Sequence, residues 1–425
     1  MNRYLQLVLF LNLVFSIGLM GSGLKAGAAY RIITPNPLIP VSGGVGIPNP
    51  VTIKHGELST RALVLVKDNI KIAIVSIDNL GVPKLIGDRI RALVPNIKPE
   101  NILIGVTHTH SAPDVYGFAD EKGNSGTNLK YIELLVNKTA EAINEAYNNI
   151  QQAELKVAVD EAKGKIAYNA YAPKLYDPRC GVIQLISSSD KKVISTLVNY
   201  ASHPEVIGSD RGICTPDFVG PLYDRIESKV GGVALYMNSA QGGMVTADNR
   251  LENGKEANDW NECIRIGELL ADEALRIISV AKIENDPKIF SANKDVKIPI
   301  ESDLMKFILN NTIIDYKIPS NNVVTTKMNL LNIGSAQIIT IPGEALPNIG
   351  FYLKRHMNTN NPFLFGLTND AYGYIITKED FNSFERYNYI TRTSLGEKTA
   401  DIIINSALEL INESPSANSN SIVNK

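Results

Sequence analysis

The feature that most constrains the fold of this chain is its repeated alternation of apolar, β-rich runs with amphipathic helical segments. Runs rich in β-branched residues predict strands, and apolar residues with a 3.6-residue period predict helices. The predicted strands are 62–66, 72–77, 102–106, 182–186, 193–200, 233–237, 336–341 and 362–367. The predicted helices are 84–94, 128–148, 218–229, 256–280, 346–356 and 397–411. This mixture predicts an α/β (mixed α+β) domain, a single large unit with one or more central sheets and flanking helices.

Both ends of the chain differ in composition from the predicted domain. Arg3, the apolar run 7–20 and the small residues 26–28 form the pattern of a signal peptide over residues 1–28, which predicts export to the periplasm or the exterior. The alternative is a permanent anchor helix, for which the run is short. The polar tail 413–425 is expected to be disordered, so the domain is expected to span 29–412. Within it, residues 285–330 have the weakest pattern and are interpreted as a small insertion or the edge of a subdomain.

Charge and cysteine content narrow the classes of partner and metal. The formal net charge is −2 and basic runs are few, which argues against nucleic acid as a partner and against a polybasic membrane-docking patch. Cys180, Cys214 and Cys263 could form one disulfide in an oxidising compartment, with the pairing left open. Their spacing makes a thiolate zinc site improbable.

Polar groups with metal-binding chemistry follow several of the predicted strands. His108 and His110 come after strand 102–106, and in an extended segment residues two apart face the same side. His203 follows strand 193–200, and Glu344 follows strand 336–341. Tyr372 and Tyr374 lie in a glycine-containing turn after strand 362–367. Polar groups gathered at one end of a sheet are the usual way in which an α/β fold builds a site.

Imidazole nitrogens together with a carboxylate suit Zn²⁺, which lowers the pKa of a coordinated water and polarises a carbonyl. Each residue also has a structural interpretation. Histidines at strand ends are often held by hydrogen bonds, and Glu344 could be a helix-start carboxylate. The two tyrosines could be packed aromatic side chains with hydrated hydroxyls.

Several motifs, in order along most of the chain, resemble the neutral/alkaline (non-lysosomal) ceramidase family in its catalytic domain. The most specific match is the Thr-His-Thr-His-Ser-Ala-Pro segment that begins at Thr107. The other matching segments are 40–46, 59–66, 75–81, 202–204, 216–220, 342–344 and 373–375.

The resemblance implies a zinc-dependent amidohydrolase that acts on an N-acyl amide, with ceramide the leading substrate, and peripheral membrane contact as one way to reach a lipid. The implied zinc ligands are His108, His203, Glu344 and Tyr374, with Tyr372 as the fallback. His110 would contact the metal ligands without binding the metal, or it would face the substrate. In either position it could stabilise an oxyanion or shuttle a proton.

The same resemblance assigns the substrate contacts, and two departures from the family pattern concern them. Thr246 keeps a hydroxyl where the family has a serine near the metal, and is expected to assist catalysis. The expected substrate contacts are Asn169, Gly242, Gly243 and Tyr372. Met244 stands where the family has an acid, and Ala170 where it has an arginine. Two alternatives therefore stay open: a zinc hydrolase of another amide or ester, and a non-catalytic binding protein.

Overall fold

The computed structural model describes residues 23–120 and 122–417. The strands are β1 (Lys25–Ile32), β2 (Ile53–Lys54), β3 (Ser59–Lys67), β4 (Ile70–Ile77), β5 (Ile102–Val106), β6 (Gln151–Glu161), β7 (Ala167–Asn169), β8 (Arg179–Ser187), β9 (Val193–Tyr200), β10 (Ile213–Cys214), β11 (Val233–Asn238), β12 (Val245–Ala247), β13 (Ile289–Pro299), β14 (Val323–Ile333), β15 (Ala336–Thr340), β16 (Glu344–Ala345), β17 (Asn361–Phe365) and β18 (Tyr374–Ile375). The helices are α1 (Lys84–Ala92), α2 (Leu129–Asn148), α3 (Val219–Val230), α4 (Trp260–Ser279), α5 (Asp303–Asn311), α6 (Pro347–His356), α7 (Asn388–Arg392) and α8 (Thr399–Glu413).

Two mixed sheets form the centre of the molecule. The larger has eight strands in the order β11-β9-β8-β6-β1-β3-β4-β5, and the smaller has four in the order β13-β14-β15-β17. β11 pairs with β9, β4 with β5 and β15 with β17 in parallel, and the other pairs in these two sheets are antiparallel. The predicted mixed α/β domain with central sheets and flanking helices is confirmed.

The two sheets stack face to face, and helices cover both outer faces. In β3, Ala62 and Val64 pack under α1 and α2, whereas the alternate residues Leu63 and Leu65 face the smaller sheet. This alternation follows from the two-residue period of a strand, and since both faces are covered the strand is apolar throughout. α3 and α4 cover the β8–β9–β11 part of the large sheet, and α6 and α8 cover the smaller sheet. The result is four layers: helices, sheet, sheet and helices.

The large sheet curls so strongly that its two edges meet. The side chain of Ser76 on β4 donates to the carbonyl of Tyr236 on β11 at 2.5 Å, and Arg61 on β3 donates to that of Ala234 at 3.1 Å. β11 and β5 are at opposite ends of the strand order, yet they contact each other. The curl therefore brings the carboxyl ends of β5, β9 and β11 into one place.

Each predicted strand and helix corresponds to an observed one, with shifts at the ends, but several elements went unpredicted. β13 and β14 occupy much of the segment that the sequence suggested was an insertion, and they form half of the smaller sheet. β13 is mostly exposed or half-buried, so its side chains are polar and give no apolar run. β6 begins with exposed glutamines and ends with acidic residues, so it also lacked the apolar run that predicts a strand.

The C-terminal end of the fold extends past the predicted boundary at residue 412. The carbonyl of Pro415 accepts a hydrogen bond from Asn332 at 2.8 Å, and Ala417 donates its backbone N–H to Asn358 at 3.1 Å. Residues 413–417 of the expected disordered tail are thus packed against the smaller sheet, and 418–425 lie outside the described residues.

The cysteines and the helices give two further results. Cys180, Cys214 and Cys263 are all buried free thiols, so the disulfide considered from the sequence is not formed in this structure. None of the helices built from the described residues combines the length and the apolar character needed to cross a membrane.

The N-terminal strand bears on the predicted signal peptide. Residues 1–22 of that prediction lie outside the described residues, but Lys25 to Ala28 belong to β1. Lys25 and Ala26 pair with Gln152 and Gln151, and these two pairs are the whole ladder between β1 and β6. Since that ladder joins the two halves of the large sheet, a leader that ended at residue 28 would remove it. A cleavage that spares β1 falls before Lys25.

We expect a chain that begins at Ala29 to be less stable than one that begins at Gly23. The shorter chain loses the β1–β6 ladder and the burial of Leu24 and Ala26, which are 3% and 0% exposed. Burial of a leucine is worth about 1.5–3 kcal/mol and each hydrogen bond about 1 kcal/mol, so the free energy of unfolding should fall by roughly 3 kcal/mol or more. Urea unfolding of the two chains measures the difference, and equal midpoints would contradict it.

Candidate metal centre and substrate cavity

Asn238 joins the three strand ends at which the candidate site lies. It ends β11, is fully buried, and donates from Nδ2 to the carbonyl oxygens of Thr107 and Ser202, each at 3.0 Å. Its Oδ1 accepts the backbone N–H of Ser202 at 3.3 Å. Thr107 directly precedes His108 and Ser202 directly precedes His203, so this one amide sets the distance between the two histidines. Sequence reasoning gave Asn238 no role, although an amide just after a buried apolar strand was a visible signal.

His108 is held in an uncommon backbone conformation. β5 ends at Val106, and His108 has a φ of 72°, in the left-handed region that costs a non-glycine residue about 1–2 kcal/mol. His108 and His110 therefore converge through a turn and not through strand alternation, which was the reason that the sequence suggested. Their rings meet edge to face, with centroids 4.9 Å apart. The Nδ1 of His108 donates to the carbonyl of Leu80 at 2.5 Å.

His203 is oriented by a carbonyl in the same way. Its Nδ1 donates to the carbonyl of Val245 at 2.6 Å, and its backbone N–H donates to the same oxygen at 2.9 Å. Glu344 lies on β16, which follows β15 and pairs with β18 in a separate two-stranded sheet, so that Glu344 is opposite Tyr374. A Cβ on Gly242 would lie 2.2 Å from the carbonyl oxygen of Glu344. Glycine is required there because the two backbones touch.

The donors at this point are arranged for a cation. A carbonyl oxygen can only accept, so Nδ1 carries the proton in His108 and in His203, and in the neutral ring Nε2 is then an acceptor. Nε2 of His203 lies 3.0 Å and Nε2 of His108 lies 3.6 Å from Oε2 of Glu344. Acceptors at this distance repel unless a proton or a metal ion lies between them. Burial raises the pKa of Glu344, but when a proton lies between them, the charge and the hydrogen bonds of the two histidines hold that pKa well below its ordinary value.

His110 completes a cluster of three imidazoles. One ring nitrogen from each of His108, His110 and His203 lies within 4.8 Å of the others. The Nδ1 of His110 donates to Oε1 of Glu205 at 3.0 Å, and its Nε2 is buried without a hydrogen-bond partner among the described residues. Burial opposes ionisation of Glu205, but His110 beside it holds the pKa of Glu205 at about 2. The geometry thus offers His110 as a third imidazole ligand as well as the expected proton shuttle.

The two tyrosines of the turn point to different neighbours. Burial, and then the charge of Glu344, raise the pKa of Tyr374 well above its ordinary value, so its hydroxyl is protonated in the metal-free site. That hydroxyl also contacts the sulfur of Met244 at 3.6 Å. The hydroxyl of Tyr372 lies 3.3 Å from that of Tyr316. The geometry thus agrees with Tyr374 as the candidate ligand and places Tyr372 in a cavity wall.

The remaining expected site residues fall into two groups. Thr246 forms a parallel β-bridge with His203 through the backbone. Together with Ala170 it lines a cavity beside that histidine. The side-chain amide of Asn169 forms hydrogen bonds within its own loop: it donates to the carbonyl of Leu175 and accepts from two backbone N–H groups. Gly242 and Gly243 are not among the residues that line the two cavities at the site, so the structure gives these glycines a backbone role.

An apolar cavity of about 880 Å³, its open mouth included, leads to the histidines. Its walls come from the loops after β1, β4, β5 and β17, from the segment around α5 and from the region of α7. The apolar side chains in these walls are Val45, Leu80, Pro83, Phe118, Met305, Ile308, Leu309, Ile314 and Ala371. Val45 and Tyr389 in its wall are exposed (47% and 49%), so the cavity opens to solvent there.

A second, more polar cavity of about 630 Å³ lies on the other side of His110. It contains Glu205, Thr246 and His203, and its wall also carries Met244. The two cavities share Gly43, His110, Tyr374 and Tyr389. A bound molecule could therefore extend past the histidines in both directions, with an apolar part on one side and a polar part on the other.

Replacement of His203 by alanine should abolish tight zinc binding. The change removes an imidazole aimed at Glu344, so zinc affinity should fall by more than the roughly 10- to 100-fold that loss of an outer hydrogen-bond partner costs. Competition with a chelating indicator measures the affinity. The matched control is His356→Ala on an exposed part of α6, which should bind zinc as the unchanged protein does. Equal affinity in both variants would contradict the site.

Replacement of Asn238 by aspartate should weaken zinc binding without touching a candidate ligand. An oxygen would replace Nδ2 and face the carbonyls of Thr107 and Ser202, which separates the two histidines. We expect a loss of about 10- to 100-fold in zinc affinity. Asn332→Asp is the control, because Asn332 is also a buried amide that donates to a carbonyl, but at the far end of the smaller sheet. It should lower stability and leave zinc affinity unchanged, and equal losses in both variants would refute the positioning role.

Similarity to known proteins was found at the level of structure. No protein-family model matches the chain, and neither does any curated protein. The crystal structure of neutral ceramidase from Pseudomonas aeruginosa is similar with a TM-score of 0.72 and 16% identity, over 92% of this chain and 75% of that one. A structure described as ceramidase complexed with C2 is similar with a TM-score of 0.74 and 16% identity, over 94% of this chain and 77% of that one. The chain therefore has the fold of the neutral ceramidases, as the resemblance of its motifs implied.

Proposed function

We propose that this protein is a zinc-dependent hydrolase of the amide bond of an N-acyl lipid, with ceramide as the leading substrate. The observation that carries the proposal is the opening of a large apolar cavity onto the buried Glu344 and onto His108 and His110, two members of the cluster of three histidines. An apolar cavity with a few convergent polar groups is the usual form of a site for a hydrophobic ligand. The two similar structures are ceramidases by their descriptions, which adds to the proposal.

Zinc is the metal that fits these donors best. Two or three imidazoles and one carboxylate, with the second ring nitrogen of each candidate histidine ligand bonded to a carbonyl or a carboxylate, are typical of catalytic zinc sites. His108, His203 and Glu344 would hold the ion, with Tyr374 as the further ligand that the family resemblance implies. A zinc ion in this position supplies Lewis acidity, since it polarises a carbonyl and lowers the pKa of a coordinated water to about 7.

His110 is placed to move protons. Glu205 accepts the Nδ1–H of His110 and orients its ring. The Nε2 of His110 is buried without a partner among the described residues, and the residue lines both cavities. A base held by a carboxylate can take a proton from the attacking water and return it to the leaving amine. In this proposal Thr246 orients the amine part of the substrate in the polar cavity.

As an alternative to ligation of the metal, Tyr374 would contribute a neutral hydroxyl beside Glu344. Because burial and Glu344 keep that hydroxyl protonated, it can donate a hydrogen bond to the oxygen on which negative charge develops. A donor fixed by the protein in advance stabilises such charge more than water does, since it needs no reorganisation. Once it binds the metal instead, the hydroxyl would give up this role.

A second candidate is hydrolysis of a different amide or an ester on the same scaffold. Met244 and Ala170 lie in the wall of the polar cavity, and they are the two positions that depart from the family pattern. Apolar side chains there would contact the amine part of a substrate, so a head group less polar than that of ceramide is the specific expectation. Export of the protein and peripheral contact with a membrane belong to the same proposal.

Replacement of His110 by alanine should reduce turnover of a fluorescent N-acyl sphingosine while the protein keeps its zinc. Loss of a positioned acid–base group costs about 10²- to 10⁴-fold in kcat. Zinc content and kcat of the purified protein are measured together. The control is His55→Ala, whose ring stacks on Trp260 and lines neither cavity at the site.

Each result separates two interpretations. Loss of zinc in His110→Ala would make His110 a ligand and contradict the shuttle. Zinc without turnover in the unchanged protein would direct the search to other amides and esters. Neither zinc nor turnover in a folded sample supplied with zinc would refute the enzyme and leave the binding protein.

A further inference from the structure

Asp370 is a buried carboxylate in the wall of the apolar cavity. It follows β17 in the chain, is 3% exposed, and lies among the residues that line the cavity. Its Oδ1 accepts the backbone N–H of Lys84 at 3.0 Å and that of Ala371 at 3.1 Å. Lys84 is the first residue of α1, so Oδ1 caps this helix. The structural role of Asp370 therefore uses one of its two oxygens.

The other oxygen, Oδ2, has no hydrogen-bond partner among the described residues. The hydroxyl of Thr326 nearby is also buried without a partner. A buried acceptor left unsatisfied costs about 1–3 kcal/mol, and a charged one costs more. Folds rarely tolerate that cost without a functional reason. Because Asp370 lines the cavity, a ligand in the cavity can supply the missing donor.

Two tyrosine hydroxyls lie beside this carboxylate and make the spot more polar. Those of Tyr372 and Tyr316 are 3.3 Å apart, and both residues line the cavity. Burial raises the pKa of Asp370 to about 6, while the backbone N–H of Lys84 and the nearby hydroxyls of Thr326 and Tyr372 lower it. The oxygen that the cap of α1 leaves unused is thus an acceptor in the wall of the cavity.

We propose that Asp370, with Tyr372 and Tyr316, forms a subsite that binds a hydroxyl group carried by the lipid chain in the apolar cavity. The proposal rests on the proposed function, because it assumes that an N-acyl lipid occupies this cavity, and it narrows the substrate class to hydroxylated chains. A hydroxyl suits the site better than an ammonium group. The surrounding wall is apolar, so an ammonium group would lose its hydration on entering the cavity. The free energy of that desolvation is larger than the gain from its attraction to a single carboxylate.

The test compares chains that differ only by a hydroxyl. Binding of dodecanamide and of its α-, β- and ω-hydroxy derivatives to the full chain is measured by isothermal titration calorimetry. We expect at least one hydroxylated amide to bind about tenfold more tightly than dodecanamide, as for a hydrogen bond to a charged acceptor. Equal affinity for all four in the unchanged protein would overturn the proposal, whatever any variant does.

The variant that isolates the subsite is Asp370→Asn. Asparagine keeps one carbonyl oxygen for the cap of α1 and places a donor where Oδ2 was, so the tenfold preference should disappear. The control Asp272→Asn removes an exposed carboxylate on α4 and should leave the preference intact. A purely structural role of Asp370 predicts instead that the preference survives in Asp370→Asn. An ω-amino dodecanamide that binds more tightly than every hydroxylated amide would also overturn the proposal.

These experiments distinguish a failure of the proposed subsite from a failure of the proposed hydrolase. Calorimetry needs no catalysis, so the hydroxyl preference is measured even if N-acyl sphingosine is not hydrolysed. If turnover is found, the ratio of kcat/KM for hydroxylated and plain N-acyl chains should show the same preference, and Asp370→Asn should remove it. Turnover without any preference would refute the subsite and leave the proposed hydrolase standing.

Discussion

The whole candidate site depends on the three hydrogen bonds that Asn238 makes to the ends of β5 and β9. These strands lie far apart in the order of the large sheet, and only the curl of the sheet brings them together. The curl alone would bring the strand ends together without fixing their distance. A buried amide that bonds to Thr107 and to Ser202 fixes it, because a shift of either strand would leave a buried donor or acceptor unpaired. The core of the fold thus determines the separation of His108 and His203.

A second consequence is that the rings are oriented before any ligand arrives. Backbone carbonyls hold the Nδ1 of His108 and of His203, and the carboxylate of Glu205 holds that of His110. Each of these bonds fixes a tautomer as well as a ring angle, which is what preorganisation of a metal site needs. The left-handed backbone of His108 is the cost of this arrangement. Nε2 of His203 and Oε2 of Glu344 also need a proton or a cation between them, and a bound metal ion would supply that charge.

The sequence predicted which residues meet better than it predicted how they meet. Polar groups after buried strands were visible in the pattern, and His108, His203, Glu344 and Tyr374 do come together. The turn at His108 was not predictable, because a single left-handed residue leaves no trace in periodicity. Glu205 and Asp370 were missed for another reason. A carboxylate two residues after a histidine or five after a strand is common, and only its partners in space distinguish it.

The departure at Met244 changes the side chain while the site keeps its backbone. Gly243 and Met244 have φ values of 68° and 69°, two consecutive left-handed residues. The turn that they make presents the carbonyl of Val245 to His203, so the candidate metal site itself requires this conformation. Aspartate, which the family resemblance implies at position 244, adopts this conformation at a lower cost in stability than methionine. A chain that had lost its site would have no reason to bear that cost. The turn thus fits the proposed hydrolase with an altered polar cavity better than a non-catalytic binding protein.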